Sequence, residues 1–284
     1  MIDVSVIIPT YNRSKRLLKA LASVARQRDL PAEVIVVDDG SSDETRQDVV
    51  LFKEAHPLNL RYHFQANRGP AAARNSGIRM ARGSCLAFLD SDDEWHRDKL
   101  TVQYEALRTN PDYLVSHTME RWFRNGEHLN QKKYHLPRHG DIFTHALRLC
   151  CVGMSTVMAR QELFQRHGVF NEVLRCCEDY EYWLRVGALE KFYLVEKRLT
   201  VKHGGRPDQV SNLFRVGMDR FRIQALAELL GVSSLKRHQR AALRKELERR
   251  CTIYARGCSR HGKVDEASFY YQLAEFCRTQ FCSS

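Results

Sequence analysis

Along the first third of the chain, short apolar runs alternate with segments in which apolar residues recur every three or four positions. Val4 to Ile8 is a largely β-branched run of the kind that forms a strand buried on both faces. Leu17, Leu18, Leu21, Val24 and Ala25 follow at helical spacing, with Asn12 or Ser14 as the N-cap. Val34 to Val37 is a second apolar strand, and Ser41 to Glu44 reads as a capping box opening the next helix. A weaker strand, Leu60 to Phe64, precedes the turn Asn67-Arg68-Gly69-Pro70 and a helix carrying Ala72, Ala73, Ile78 and Met80. Cys85 to Leu89 is a fourth strand. The β-α-β-α-β-α-β order predicts an α/β fold: a mostly parallel sheet with right-handed crossovers and helices on both faces.

The later pattern is less regular. A polar helix is expected from Arg97 to Thr109, closed by Asn110-Pro111. Tyr113 to Phe123 reads as a strand and Asn125-Gly126 as the turn of a hairpin. A polar, His-rich loop covers Asn130 to Gly140, and Ser155 to Ala159 is a further strand, followed by a helix stopped at Gly168. Tyr193 to Val201 is strand-like, and His203-Gly204-Gly205-Arg206-Pro207 reads as a glycine-rich loop suited to closing over a ligand. From Phe214 the periodicity is helical in three segments, to Leu230, from Leu235 to Cys258 and from Val264 to Phe276. The turn from Arg256-Gly257 to Ala267 is similar to that of a single tetratricopeptide-like hairpin. Two units are expected, an α/β domain over 1–211 and a helical region over 212–284.

Composition narrows the classes. A chain of 284 residues with 43% hydrophobic and 28% charged residues can build a sizeable core. Its net charge is +11, and Arg206 to Ser284 holds 15 basic against 8 acidic residues. No nucleic-acid motif accompanies that charge, so a phosphate-bearing ligand or a lipid surface is the expected anionic partner, not nucleic acid. The stripe Lys236, Arg237, Arg240, Arg244, Lys245 is either a solvated face or a contact for a polyprenyl phosphate at a membrane surface. The helical region is also a candidate surface for homodimerisation. No basic and apolar leader precedes Val4, and no run approaches the ~18 apolar residues of a membrane span, so a cytoplasmic, at most peripheral, protein is expected. Nine cysteines, two adjacent pairs among them, fit reduced thiols.

The candidate chemistry sits at strand ends. Leu86 to Leu89 is followed at once by Asp90, Asp92 and Asp93. Clustered carboxylates behind a buried strand call for water or a counter-ion, and hard oxygens suit Mg²⁺ or Mn²⁺. An acidic turn capping a helix is the plainer alternative. Asp38-Asp39 ends the second strand and Thr10-Tyr11 the first. In a parallel sheet these three ends meet on one side, where ligands bind. No GxGxxG or Walker loop is present to cradle phosphates. A bound nucleotide would therefore need a metal, with Asp92 placed to hold it.

The set Val6-Ile7-Ile8-Pro9-Thr10-Tyr11-Asn12, Val36-Val37-Asp38-Asp39-Gly40-Ser41-Ser42-Asp43, Asn67-Arg68-Gly69, Ala73-Arg74-Asn75-Ser76-Gly77 and Phe88-Leu89-Asp90-Ser91-Asp92-Asp93 resembles the family 2 inverting glycosyltransferases of the GT-A fold. Order and spacing agree over roughly the first 100 residues. The resemblance implies a GT-A domain with a C-terminal helical extension and a nucleotide-diphospho-sugar donor, most often a UDP-sugar. It places Thr10, Tyr11 and Asp39 at the base and Arg74 beside the same pocket. Asp90 and Asp93 fall in the DxD element with a ribose contact, and Asp92 is the metal ligand. Asp38 is either a second contact or a structural carboxylate of the turn.

Glu178-Asp179, at the start of a helix carrying Tyr180, Trp183 and Leu184, is on its own a capping pair. It resembles the family's Glu-Asp motif, which implies Asp179 as general base and Glu178 as an orienting residue. His203 is a candidate second metal ligand, and Arg206 a candidate for the diphosphate. The Gln-x-x-Arg-Trp segment of processive synthases is absent, so one sugar per encounter is expected. The implied acceptor is a glycan or a polyprenyl-linked saccharide of a surface polysaccharide. Rival readings are a nucleotidyltransferase, which would want a Gly-rich basic loop where Pro9 to Arg16 stands, and a non-catalytic nucleotide-sugar-binding scaffold.

Overall fold

The computed structural model describes residues 1–206, 209–214, 216–232 and 234–279. Strand β1 (Ile2–Thr10) leads through helix α1 (Ser14–Ala25) to β2 (Pro31–Asp38), α2 (Thr45–Ala55), β3 (Leu60–Phe64), α3 (Pro70–Met80) and β4 (Cys85–Phe88). Next come β5 (Glu94–Trp95), α4 (Lys99–Thr109), β6 (Val115–Arg124), β7 (Glu127–Leu129), α5 (Phe143–Ala146), β8 (Met158–Arg160), α6 (Gln161–His167), α7 (Glu178–Gly187) and β9 (Phe192–Gly204). The chain ends in α8 (Val210–Leu213), α9 (Met218–Leu230), α10 (Arg237–Arg260) and α11 (Val264–Thr279).

One sheet runs in the order β3-β2-β1-β4-β8-β6-β9-β5, with β7 paired to β6. Its first four strands are parallel, as the alternating pattern predicts. Beyond β4 the sheet is mixed: β8 is antiparallel to both β4 and β6, β6 and β9 are parallel, and β5 is antiparallel to β9. The period-2 alternation of a strand divides the core. Val4, Val6, Ile8, Val34 and Val36 face α1 and α4, and Ile7, Ile35, Val37, Leu86 and Phe88 face α3, α6 and α7. Helices thus cover both faces.

Local details differ from the pattern where polar side chains intervene. The capping box at Ser41 does not form. Ser41 Oγ accepts the Asn12 N–H at 2.8 Å, and Asp43 Oδ1 takes the Thr45 N–H at 3.1 Å, so α2 starts later. Asn12 is no N-cap either: it sits in the left-handed region at φ 49° and its side-chain Oδ1 accepts the Ser42 N–H at 2.8 Å. These bonds tie the turns after β1 and β2 together. Ser155 lies in a 3₁₀ turn, Met154–Thr156, and the strand begins only at Met158. β9 runs on through His203 and Gly204, paired with Phe123 and Arg124, so the glycine-rich segment is anchored in the sheet at its start.

The described part of the C-terminal region is not a separate body. Leu226, Leu243, Leu247 and Cys251 belong to the same apolar cluster as Trp183 and Phe88. Buried Arg250 donates to the carbonyls of Leu147 and Arg148 and pairs with Asp219 at 2.9 Å, which pins the segment before Cys150 against α10. Among the described residues no helix is long and apolar enough to cross a membrane.

Gly77 sets the distance between α3 and the sheet. A Cβ there would lie 2.4 Å from Ile7 Cγ2, inside the β1 layer. Gly77→Ala is expected to destabilise the fold by ~1–3 kcal/mol through overpacking, read as a lower midpoint in thermal unfolding.

Candidate active site

β1, β2 and β4 are parallel neighbours, so their carboxyl ends open on one side. The turns leaving them, the start of α7 and residues of the C-terminal segment line one cleft of about 920 Å³. Thr10 is buried there, and its hydroxyl oxygen has no hydrogen-bond partner among the described residues, which leaves it for a ligand. Tyr11 offers its ring to the cleft at 47% exposure.

The two carboxylates after β2 divide their work. Asp38 is structural: Oδ1 accepts the Ser41 N–H at 2.8 Å and Oδ2 the Tyr62 hydroxyl at 2.5 Å. Asp39 lines the cleft and holds the loop before α3. It accepts the N–H of Arg68 at 3.0 Å, the N–H of Gly69 at 2.7 Å and Gln65 Nε2 at 2.8 Å.

Arg74, on α3, is the hinge of the charged cluster. Its side chain is 7% exposed and sits between two carboxylates, Asp90 at 2.9 Å and Glu178 at 2.6 Å. It therefore joins the end of β4 to the start of α7. Burial alone would weaken its charge, but Asp90 and Glu178 raise its pKa. Burial works to raise the Asp90 carboxyl too, yet the charges of Arg74 and Lys202 hold it below its ordinary value. For Glu178 burial wins over Arg74, and its carboxyl is raised.

The rest of the acidic strand end is also engaged. Asp92 Oδ2 bonds Arg206 and lies 3.6 Å from Arg13 Nη1. Asp93 is buried, accepting the Ser155 hydroxyl at 2.7 Å and the His203 N–H at 3.3 Å. Burial raises its carboxyl well above the usual range, against the pull of Lys202 and with the repulsion of Asp92 and Asp90. Lys202 stands beside them in the cleft wall, and Glu120, ahead of Asp93 and Asp90, raises its ammonium pKa despite burial.

Asp179 lines the same cleft at the second position of α7. Its Oδ1 accepts its neighbour Tyr180 N–H at 2.7 Å, and Cys150 Sγ is 3.3 Å from Oδ2. Burial first, then the charge of Asp179, pushes the Cys150 thiol well up, so it meets the carboxylate as an S–H donor. Cys177, just before α7, takes φ 64° to aim the helix start at the cleft.

Thr10, Tyr11, Asp39, Arg74, Asp90, Asp92, Asp93, Glu178 and Asp179 thus share one cleft, and Arg206 reaches it through Asp92. His203 does not line it: its Nε2 turns to Glu94 at 3.2 Å. Arg13, Lys202 and Cys150 were not singled out by the sequence. Arg13 directly follows the Thr10-Tyr11-Asn12 segment, a positional hint, whereas Lys202 and Cys150 carry no pattern of their own.

A divalent cation would need free hard oxygens at this strand end. Asp92 is held by two guanidinium groups, Asp90 by Arg74 and Asp93 by Ser155 and a backbone N–H. Among the described residues no three His, Cys, Asp or Glu side chains are grouped to hold a metal. In this arrangement the side chains present do not fit a metal site.

Comparison with known proteins agrees with this architecture. The glycosyl transferase family 2 model matches residues 5–168, and the chain belongs to that family. An uncharacterized glycosyltransferase of Rickettsia felis is 34% identical over 224 residues, covering 76% of this chain and 36% of that protein. The chain thus matches little more than a third of that relative's length. The Escherichia coli protein named UDP-Glc:alpha-D-GlcNAc-diphosphoundecaprenol beta-1,3-glucosyltransferase WfgD is 31% identical over 188 residues, 64% of this chain and 69% of its own. In fold, the chain is similar to S. aureus TarS 1-349, solved in complex with UDP-GlcNAc, with a TM-score of 0.76 and 23% identity over 96% of this chain and 79% of that one. It is also similar to the mannosyltransferase PcManGT of Pyrobaculum calidifontis, solved with GDP-Man and Mn²⁺, with a TM-score of 0.66 and 20% identity over 98% and 82% of the two chains. The fold is GT-A, with a helical C-terminal part.

Arg74→Gln should leave buried Glu178 and partly buried Asp90 without the cation between them and cost ~3–5 kcal/mol at neutral pH. Without Arg74 the buried Glu178 carboxyl, already raised, binds its proton still more tightly folded than unfolded, so acidification favours the folded variant. The deficit against wild type should shrink between pH 7 and pH 5, measured by denaturant unfolding at each pH.

Proposed function

We propose that the protein transfers one sugar per encounter, with inversion, from a nucleotide-diphospho-sugar to a saccharide acceptor. The observation carrying this reading is the meeting of Thr10, Asp39 and Asp90, on three strand ends, with Asp179 in one cleft. Thr10, Tyr11 and Asp39 take the nucleoside, Tyr11 by its exposed ring and Thr10 by its unpaired hydroxyl. Asp90, steadied by Arg74, takes the ribose.

Asp179 is the general base. It sits at a helix N-terminus, where the dipole favours a carboxylate, and Tyr180 N–H and the Cys150 thiol fix its orientation. The acceptor hydroxyl gives its proton to Asp179 as its oxygen bonds the anomeric carbon. The carbon–oxygen bond to the diphosphate breaks, and the electron pair leaves with the nucleoside diphosphate. Glu178 does not touch the reacting atoms; through Arg74 it sets the spacing between Asp179 and Asp90.

UDP is the favoured nucleotide, supported by the UDP-Glc in the name of WfgD and the UDP-GlcNAc bound to TarS. The acceptor class is a glycan or a lipid-linked saccharide of surface polysaccharide synthesis, supported by the acceptor in the name of WfgD. On this reading the reaction runs at the cytoplasmic face of a membrane.

Asp179→Asn should lower kcat by about 10²–10⁴-fold while leaving nucleotide affinity unchanged. Turnover of a donor panel with lipid-diphosphate saccharides, beside calorimetric nucleotide binding, checks both halves. Full activity in the variant would remove Asp179 from the mechanism.

A further inference from the structure

Asp92 is the carboxylate a divalent cation would need, and it is already neutralised. Arg206 bonds Oδ2 and also donates to the His203 carbonyl at 3.0 Å, so its guanidinium is fixed at both ends. Arg13 Nη1 lies 3.6 Å from the same carboxylate oxygen and, unlike Arg206, lines the cleft. The three side chains are only 10–21% exposed, so water screens them little. A guanidinium does not lose its proton in proteins, and its planar fork suits carboxylate and phosphate alike. Lys202 adds a second cation to the cleft wall; its ammonium feels the charges of Glu120, Asp93 and Asp90, and its side chain makes no hydrogen bond or ion pair among the described residues. Asp90, Asp93 and His203 offer a metal nothing better, being held by Arg74, by Ser155 with a backbone N–H, and by Glu94.

We propose that the positive charge facing the departing diphosphate is built into the chain: Arg13 and Lys202 supply it, and Arg206 neutralises Asp92 in place of a divalent metal. This rests on the donor-site reading above. As the bond from the anomeric carbon to the diphosphate oxygen breaks, the N–H groups of Arg13 and Lys202 receive the developing charge. The acceptor proton goes to Asp179, and no further reactant is required. Both unit cations stand in the cleft wall before the donor arrives, where a leaving group's charge develops.

The test is calorimetric titration of UDP, GDP, CDP and dTDP into protein stripped with EDTA, repeated with Mn²⁺, with Mn²⁺ binding to the protein followed by electron paramagnetic resonance. One nucleotide is expected to bind the stripped protein, with Kd changed by less than about threefold on adding Mn²⁺. Wild-type protein should leave the free Mn²⁺ signal unchanged, and donor turnover should persist in EDTA. Arg206→Ala, which takes the closer of its two guanidinium groups from Asp92, should acquire Mn²⁺-dependent nucleotide affinity. Wild-type binding that improves about tenfold or more with Mn²⁺ would overturn the proposal, even if the variant fails to fold. A folded Arg206→Ala protein indifferent to Mn²⁺ would also contradict it. If no nucleotide binds under either condition, the donor-site reading falls and takes the proposal with it.

Discussion

The site depends on one buried cation. Arg74 lies between Asp90 at the end of β4 and Glu178 at the start of α7, segments that are 88 positions apart in the chain numbering. Its guanidinium also stands over the Phe170 ring at 5.8 Å, and the adjacent Asn75 bonds the Phe170 backbone in both directions. α3 therefore serves as the post on which both halves of the cleft are mounted. Gly77 lets that helix press against β1, so the position of Arg74 follows from backbone packing as much as from charge. A buried ion cluster of this sort adds little net stability, because desolvation offsets most of the attraction. Its value lies in specifying one geometry for groups that must meet around a ligand.

The C-terminal helices work on the same site from behind. α10 shares the apolar cluster of α7, and Arg250 fixes the carbonyls of Leu147 and Arg148. Those residues lead directly to Cys150, whose thiol meets Asp179. Phe214 and Met218 also line the cleft. The helical region thus forms part of the cleft wall and braces the segment that carries Cys150, which gives a physical reason for its place in the fold.

The parallel half of the sheet was legible because each strand is a short apolar run and each crossover has helical periodicity. The convergence of Thr10, Asp39 and Asp90 followed from topology alone. The mixed half was not legible: β8 and β9 are apolar enough to be seen, but hydropathy carries no strand direction. Partnerships between charges were also hidden. That Asp92 faces Arg13 and Arg206, and that His203 turns to Glu94, depends on side-chain directions set by β9, which continues two residues into the segment that reads as a loop. The expected metal ligands Asp92 and His203 rested on the carboxylates clustered behind the strand, on the resemblance to the DxD element and on the missing phosphate loop. In the structure Asp92 pairs with Arg13 and Arg206.

The central claim is that three strand ends and the start of α7 form one donor site. A crystal structure of the protein with a bound nucleoside diphosphate tests it most directly. The account predicts the base beside Thr10, Tyr11 and Asp39, and the diphosphate beside Arg13 and Lys202 with Arg206 still on Asp92. A nucleotide bound outside this cleft, or a diphosphate turned away from Arg13 and Lys202, would contradict it.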